Sequence, residues 1–157
     1  MDAGTMTEGA FCLLLSIAVL TADQAGKRHS RRCCQSGRCR TLGPVMFRNL
    51  RNYGMAFGVG AKHPSVVRWG SLVLILLAGG ICLQIYGREG CVPAKIGMAL
   101  FMAGAVSNTW DRFRDGYVTD YLSVRAGPKC LRRMVFNLGD AAILLGAVLT
   151  AINLCVL

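Results

Sequence analysis

Four apolar stretches, each bounded by polar residues, set the plan of this chain. The first runs from Gly9 to Ala22. It reaches membrane-span length only as a helix from about Thr5 to Lys27, because ~20 residues are needed to cross ~30 Å of hydrocarbon. The second covers about 69–86, with Trp69 and Tyr86 placed as interfacial anchors. The third covers about 92–110, where Lys95 can snorkel to the near interface. The fourth covers about 135–157. Helices are expected throughout, since a helix satisfies its own backbone in lipid. A cleavable secretory signal is the rival reading of the first stretch. It fits poorly, because Asp2 and Glu8 precede the apolar run and no basic residue comes before Lys27.

The polar segments are unequal. Residues 27–68 form a long one and residues 111–134 another, while residues 87–91 allow only a tight hairpin between the second and third spans. Four crossings therefore put both long segments on one side, with both termini and the hairpin on the other. The fold class expected is an all-α membrane protein, a single embedded domain over 1–157 with spans near 5–27, 69–86, 92–110 and 135–157. Strand-compatible runs at Val45–Phe47 and Met55–Val59 suggest a small β-cradle in the first long segment. Residues 61–68 are expected as a short interfacial helix, closing on hinges at Gly58 and Gly60. Residues 114–131 are expected to pack against the opening.

Composition agrees with a small polytopic protein. Of 157 residues, 54% are apolar, and the mean hydropathy is +0.45. The net charge of +10 does not form one stripe along an element, so it reads as headgroup contact and interfacial anchoring rather than nucleic-acid binding. Eight cysteines are scattered. Cys12, Cys82 and Cys155 lie in apolar runs, where cysteine behaves as a small hydrophobe. Cys33, Cys34 and Cys39 share a basic segment, but no partners complete a zinc spacing. No metal and no cofactor are expected.

The candidate chemistry lies in carboxylates at the rims of the last two spans. Asp111 ends the third and Asp140 begins the fourth, so both face the long-segment side. Carboxylates at membrane depth mark function by default. Asn108 and Asn137 each precede one of them by three residues and so share its helix face. A plainer alternative pairs Asp111 with Arg112 or Arg114 and leaves Asp140 as a favourable charge at a helix amino terminus. Two close carboxylates hold one proton between them, and such a pair can activate water while protonating a scissile carbonyl. A small proton-coupled transporter would more naturally hold one acid near the midplane.

Five blocks, in order, resemble lipoprotein signal peptidase, or signal peptidase II. They are Asp23-Gln-x-x-Lys27, Asn52-x-Gly54-x-Ala56-Phe57, Gly104-Ala-x-x-Asn108-x-x-Asp111-Arg112, Gly116-x-Val118-x-Asp120 and Phe136-Asn137-x-x-Asp140. The resemblance implies a bacterial intramembrane aspartic endopeptidase with an extracytoplasmic β-cradle. Such an enzyme acts on lipid-modified prolipoproteins, cutting before the diacylglyceryl cysteine and using neither metal nor covalent intermediate. It implies Asp111 and Asp140 as the catalytic dyad, Asn108 and Asn137 as its supports, and Asn52 and Asp23 as pocket walls. Arg112 and Gly104 belong to the same motif, Lys27 lies near the headgroup region, and Asp120 has a supportive role. Asp115 has no motif match. Two positions depart from the pattern: Gly139 stands where Ala is usual and Ser107 where Gly is common. The segment from Arg28 to Arg40 has no counterpart.

The resemblance also implies a multi-pass protein of the bacterial plasma membrane, its site on the outer side, working as a monomer among membrane lipids. A catalytically silent homologue with a binding or assembly role is the remaining alternative. Charge points the other way on sidedness. Residues 27–68 carry ten of the 18 Lys and Arg and residues 111–134 six, which by the positive-inside rule would make the long segments cytoplasmic.

Overall fold

The structure, a computed structural model, describes residues 3–34, 40–125 and 134–156. Four long helices carry it: α1 (Ala3–Cys33), α2 (Pro64–Tyr86), α3 (Val92–Arg114) and α4 (Leu138–Val156). Strands β1 (Arg40–Leu42) and β2 (Val45–Asn52) lie between α1 and α2, and β3 (Val118–Val124) and β4 (Val135–Phe136) lie between α3 and α4. The described residues form a helix bundle with one small sheet. Both long segments contribute strands to that sheet, in the order β1-β2-β3-β4 and antiparallel throughout. They therefore meet at one end of the bundle, as the span count requires.

Three helices are long and apolar enough to cross a membrane: Met6–Cys33, Pro64–Tyr86 and Leu138–Cys155. Their outward faces leave Leu13, Leu14, Leu76, Leu83, Leu144 and Ile152 exposed, the surface that lipid would cover. The fourth expected span, α3, matches α2 at 23 residues but is not among the helices with a long enough apolar run. It packs against α1, α2 and α4, and buries Ala94, Gly97, Met98, Gly104, Ser107, Asn108 and Asp111. Polar groups are tolerated there because the other helices, not lipid, surround them.

Local sequence explains the ends. Pro64 opens α2 and Pro93 sits in the first turn of α3, where a missing N–H costs nothing. α1 is 31 residues long, or about 46 Å at 1.5 Å per residue, so it runs beyond a ~30 Å core into the sheet region. Its last turns carry Lys27, Ser30 and Arg31 to the strands. The Ser30 hydroxyl donates to the carbonyl of Arg48.

Two expectations for the first long segment change. Val45–Phe47 is a strand, but residues 55–59 are not, because Ala56–Gly58 forms a 3-10 turn closed by Gly58 N–H to Met55 O at 3.0 Å. Residues 61–68 are not a separate interfacial helix, since α2 begins at Pro64 and continues into the span. The residues from 114 onward do join the sheet as β3, and residues 126–133 of that expectation lie outside the described residues.

One irregularity decides which side chains meet. β2 pairs with β3 as Phe47 with Leu122, then as Leu50 with Asp120 and Asn52 with Val118. An extra residue on β2 between Phe47 and Leu50 makes a bulge, and a one-residue shift turns every later side chain to the other face. Without it Asn49 would oppose Asp120 and Asn52 would point away. With it, Asn52 lies diagonal to Asp120 on the same face.

Candidate active site

The first turn of α4 is held by a reciprocal cap. The Asn137 amide oxygen accepts the Asp140 N–H at 2.8 Å, and the Asp140 carboxylate reaches back to accept the Asn137 N–H at 3.1 Å. This capping box explains why an apolar helix starts with Asn-x-x-Asp, and it fixes the Asp140 side chain. The amino-terminal end of α4 favours a negative charge there. The second Asp140 oxygen accepts the Asn108 amide from α3 at 2.8 Å.

β4 leads directly into that cap, and its pairing with β3 sets Phe136 opposite Leu122. Asn137 is thereby brought beside Asp120, and its amide N–H donates to Asp120 Oδ1 at 2.8 Å. Asn52 donates to Asp120 Oδ2 at 3.1 Å, its own oxygen being held by the Gly54 N–H at 3.0 Å. Asp120 is 3% exposed. Burial, then the charge of Asp140, pushes its pKa up to about 6, against the opposing pull of Asn52, Asn137 and Lys27.

Asp111 is engaged elsewhere. One oxygen accepts the Gln24 amide at 2.9 Å, and the other lies 3.2 Å from Lys27 Nζ, 3.5 Å from Arg31 Nη2 and 3.4 Å from the Thr119 N–H. Lys27, Asp111 and Asp23 have fully buried side chains. The contacts thus do not support the expected pairing of Asp111 with Asp140, nor the plainer one with Arg112 or Arg114. The cations in ion-pair contact with Asp111, Lys27 and Arg31, come from α1. Asp115 sits between Arg114 and Arg31, and its hydrogen bonds to Arg114 hold its pKa below the usual carboxylate range, with Arg31 adding to the effect.

The other expected residues divide in the same way. Asn52, Asn108 and Asn137 converge on the carboxylates. Asp23, expected as a pocket wall, is instead internal, paired with Lys27 at 2.7 Å and accepting the hydroxyls of Ser107 at 2.6 Å and Tyr121 at 3.2 Å. Lys27 likewise lies inside the protein rather than at the headgroups. The Arg112 guanidinium faces Asp140, Asp120 and Asp111 and donates to the Gly54 carbonyl at 3.0 Å, tying α3 to the segment after β2. Gly104 touches no carboxylate. A methyl on it would collide with the Gly139 carbonyl, so it is a close-approach point between α3 and α4. Among the described residues, no three His, Cys, Asp or Glu side chains converge as metal ligands.

The arrangement is a buried carboxylate, Asp120, and a half-buried one, Asp140, each held by amide donors, at the sheet end of a membrane bundle. A family model described as signal peptidase (SPase) II matches residues 15–156. The chain belongs to the signal peptidase II family. The lipoprotein signal peptidase of Pelotomaculum thermopropionicum is 32% identical over 143 residues, covering 90% of this chain and 89% of that one. The lipoprotein signal peptidase of Halothermothrix orenii is 31% identical over 107 residues, which span 67% of this chain and 66% of the relative. A solved bacterial membrane enzyme superposes with a TM-score of 0.80 at 19% identity, over 93% of this chain and 88% of the other, and so shares the fold.

Sequence reasoning on this peptidase gave Asp120 only a supportive role, whereas the structure brings it to the head of α4 beside Asn137. Its signal was an acid inside the strand-forming run Val118-Thr-Asp-Tyr-Leu-Ser-Val, whose pairing with β4 carries it to the helix cap. Gly116, at φ +81° in the left-handed region that favours glycine, makes the turn from α3 into that strand. Tyr121 was missed. Its hydroxyl accepts the Leu138 N–H at 3.3 Å while donating to Asp23, which links the head of α4 to α1.

Proposed function

We propose that this peptidase removes signal peptides from diacylglyceryl-modified prolipoproteins, cutting before the lipidated cysteine, with Asp120 and Asp140 as its dyad. One observation carries the choice of pair: Asn137 bonds both carboxylates, through its side-chain N–H to Asp120 and its backbone N–H to Asp140. Two acids so placed share a proton. The ionised one takes a proton from water as that water attacks the scissile carbonyl, and the protonated one donates to the carbonyl oxygen. The resulting diol collapses as the leaving nitrogen regains a proton, giving a free signal peptide and a lipid-held product. Both acids come from one chain, which supports a monomer as the working unit.

Arg112 and Asn52, beside the dyad, are suited to hold substrate backbone. Lipid anchoring would keep the scissile bond at the bilayer surface and reduce the search to the mouth of the bundle. The assignment to the bacterial plasma membrane, with the sheet end outward, follows from the family's substrates, whose lipidated cysteines are exposed after translocation. A transporter is disfavoured because the dyad lies at the sheet end, away from the midplane.

Asp120→Asn and Asp140→Asn are each expected to abolish cleavage of a lipid-modified prolipoprotein peptide while the protein still inserts and purifies folded. Gel separation of the two fragments reads the result. Turnover within tenfold of the parent by either variant would refute the dyad.

A further inference from the structure

The two carboxylates are held differently, and the difference traces to a buried lysine. Lys27 Nζ can only donate. It lies 2.7 Å from Asp23 Oδ2, 3.2 Å from Asp111 Oδ2, 3.2 Å from Ser107 Oγ and 2.8 Å from Asn108 Oδ1. The Asn108 amide must therefore turn its oxygen to Lys27, which directs its NH2 to Asp140, 2.8 Å away. The amides on Asp120 are oriented by neutral groups instead: the Asp140 N–H holds the oxygen of Asn137 and the Gly54 N–H holds that of Asn52. A full positive charge behind an amide polarises it and strengthens its N–H as a donor, most of all where water is excluded.

We infer that Lys27, acting through the amide of Asn108, keeps Asp140 ionised as the base and leaves the dyad's proton on Asp120. Lys27 is on this view a positioning residue, not a catalytic one, and the inference rests on the dyad reading above. The other charged or titratable groups facing the pair fit the assignment. Arg112 on α3 faces both acids, Asp140 more strongly than Asp120, and so acts in the same direction as Lys27. Asp23 on α1 opposes Lys27 but is ion-paired to it, and Asp111 is taken up by Lys27 and Arg31. Tyr121 on β3 faces Asp140 but donates its proton to Asp23. The capping box and helix end act on Asp140 in the same direction as Lys27.

The test is the pH profile of kcat/KM for cleavage of a lipid-modified peptide by the full chain in detergent. The acidic limb reports the base that must be ionised, so loss of Lys27 should move it upward. Lys27→Met and Asn108→Ser are each expected to shift that limb by about one pH unit, the scale of a charge-assisted hydrogen bond. In the Asn108→Ser background Lys27→Met should add no further shift, because the conduit is gone. A lower amplitude with an unmoved limb would mean that Lys27 only supports the fold, and additive shifts would mean that its charge bypasses Asn108; either overturns the inference. If Lys27→Met alone does not fold, Asp23→Asn/Lys27→Met removes the ion pair as a unit and is read in the same way. The dyad reading fails separately: it falls if Asp120→Asn or Asp140→Asn still cleaves, whatever the Lys27 profiles show.

Discussion

Asp111, Asp120 and Asp140 differ in what their oxygens accept, and that difference separates scaffold from chemistry. Asp111 receives Gln24, Lys27, Arg31 and a backbone N–H, which on the proposed reading makes it a scaffold residue. In Asp111→Asn the buried Lys27 and half-buried Arg31 lose one carboxylate partner but keep Asp23 and Asp115, so a stability loss of roughly 1–3 kcal/mol is expected. Thermal unfolding in detergent would show it, while the fraction that stays folded should still cleave. Complete silence from well-folded Asp111→Asn would return Asp111 to the chemistry. Asp140, Asn137 and Asn108 were legible in the sequence because each pair lies three apart on a helix, a periodicity that survives without knowledge of the fold. Asp120 was legible only as a supportive motif member, because its neighbourhood depends on a strand register and a bulge that no local pattern announces.

At the level of elements, α3 and α4 bring Asn108 to Asp140 by packing backbone against backbone. Gly104 and Gly146 are points of this approach, since a methyl at either would collide with backbone of the facing helix. Gly139, which stands where Ala is usual, also lies against α3, since a methyl on it would come 3.2 Å from the Gly104 carbonyl. Asn108 stands one turn beyond Gly104, so a wedge there should displace the donor to Asp140. Gly104→Ala is expected to cost about 1–3 kcal/mol as overpacking. It should also lower turnover by the order of 100-fold that a ~1 Å misplacement near a catalytic group produces. Unchanged cleavage by this variant would mean that the helix spacing does not set the dyad. The helices were legible from hydropathy, but α3 reads as an ordinary span although it is the enclosed one, because composition alone does not say what surrounds a helix.

The whole molecule places its sheet and dyad at one end of the bundle, and which way that end faces is the point on which charge and family disagree. The positive-inside rule weighs Lys and Arg near the spans, and both long segments are rich in them. Several of these cations are built into the fold: Lys27 is buried between Asp23 and Asp111, Arg31 and Arg114 pair with Asp115, and Arg112 faces three carboxylates. Their presence on this side has a structural cause, so the count overstates the free positive charge available to hold the segments in the cytoplasm. Cys33, half-buried at the end of α1 with its sulfur 3.8 Å from His29 Nδ1, reports on this end of the bundle. In a chain keeping Cys33 as its sole cysteine, a membrane-impermeant maleimide is expected to label intact cells before lysis. Labelling only after lysis would put the dyad on the cytoplasmic side, away from translocated precursors, and would leave the cleavage chemistry standing but its proposed place in the cell wrong.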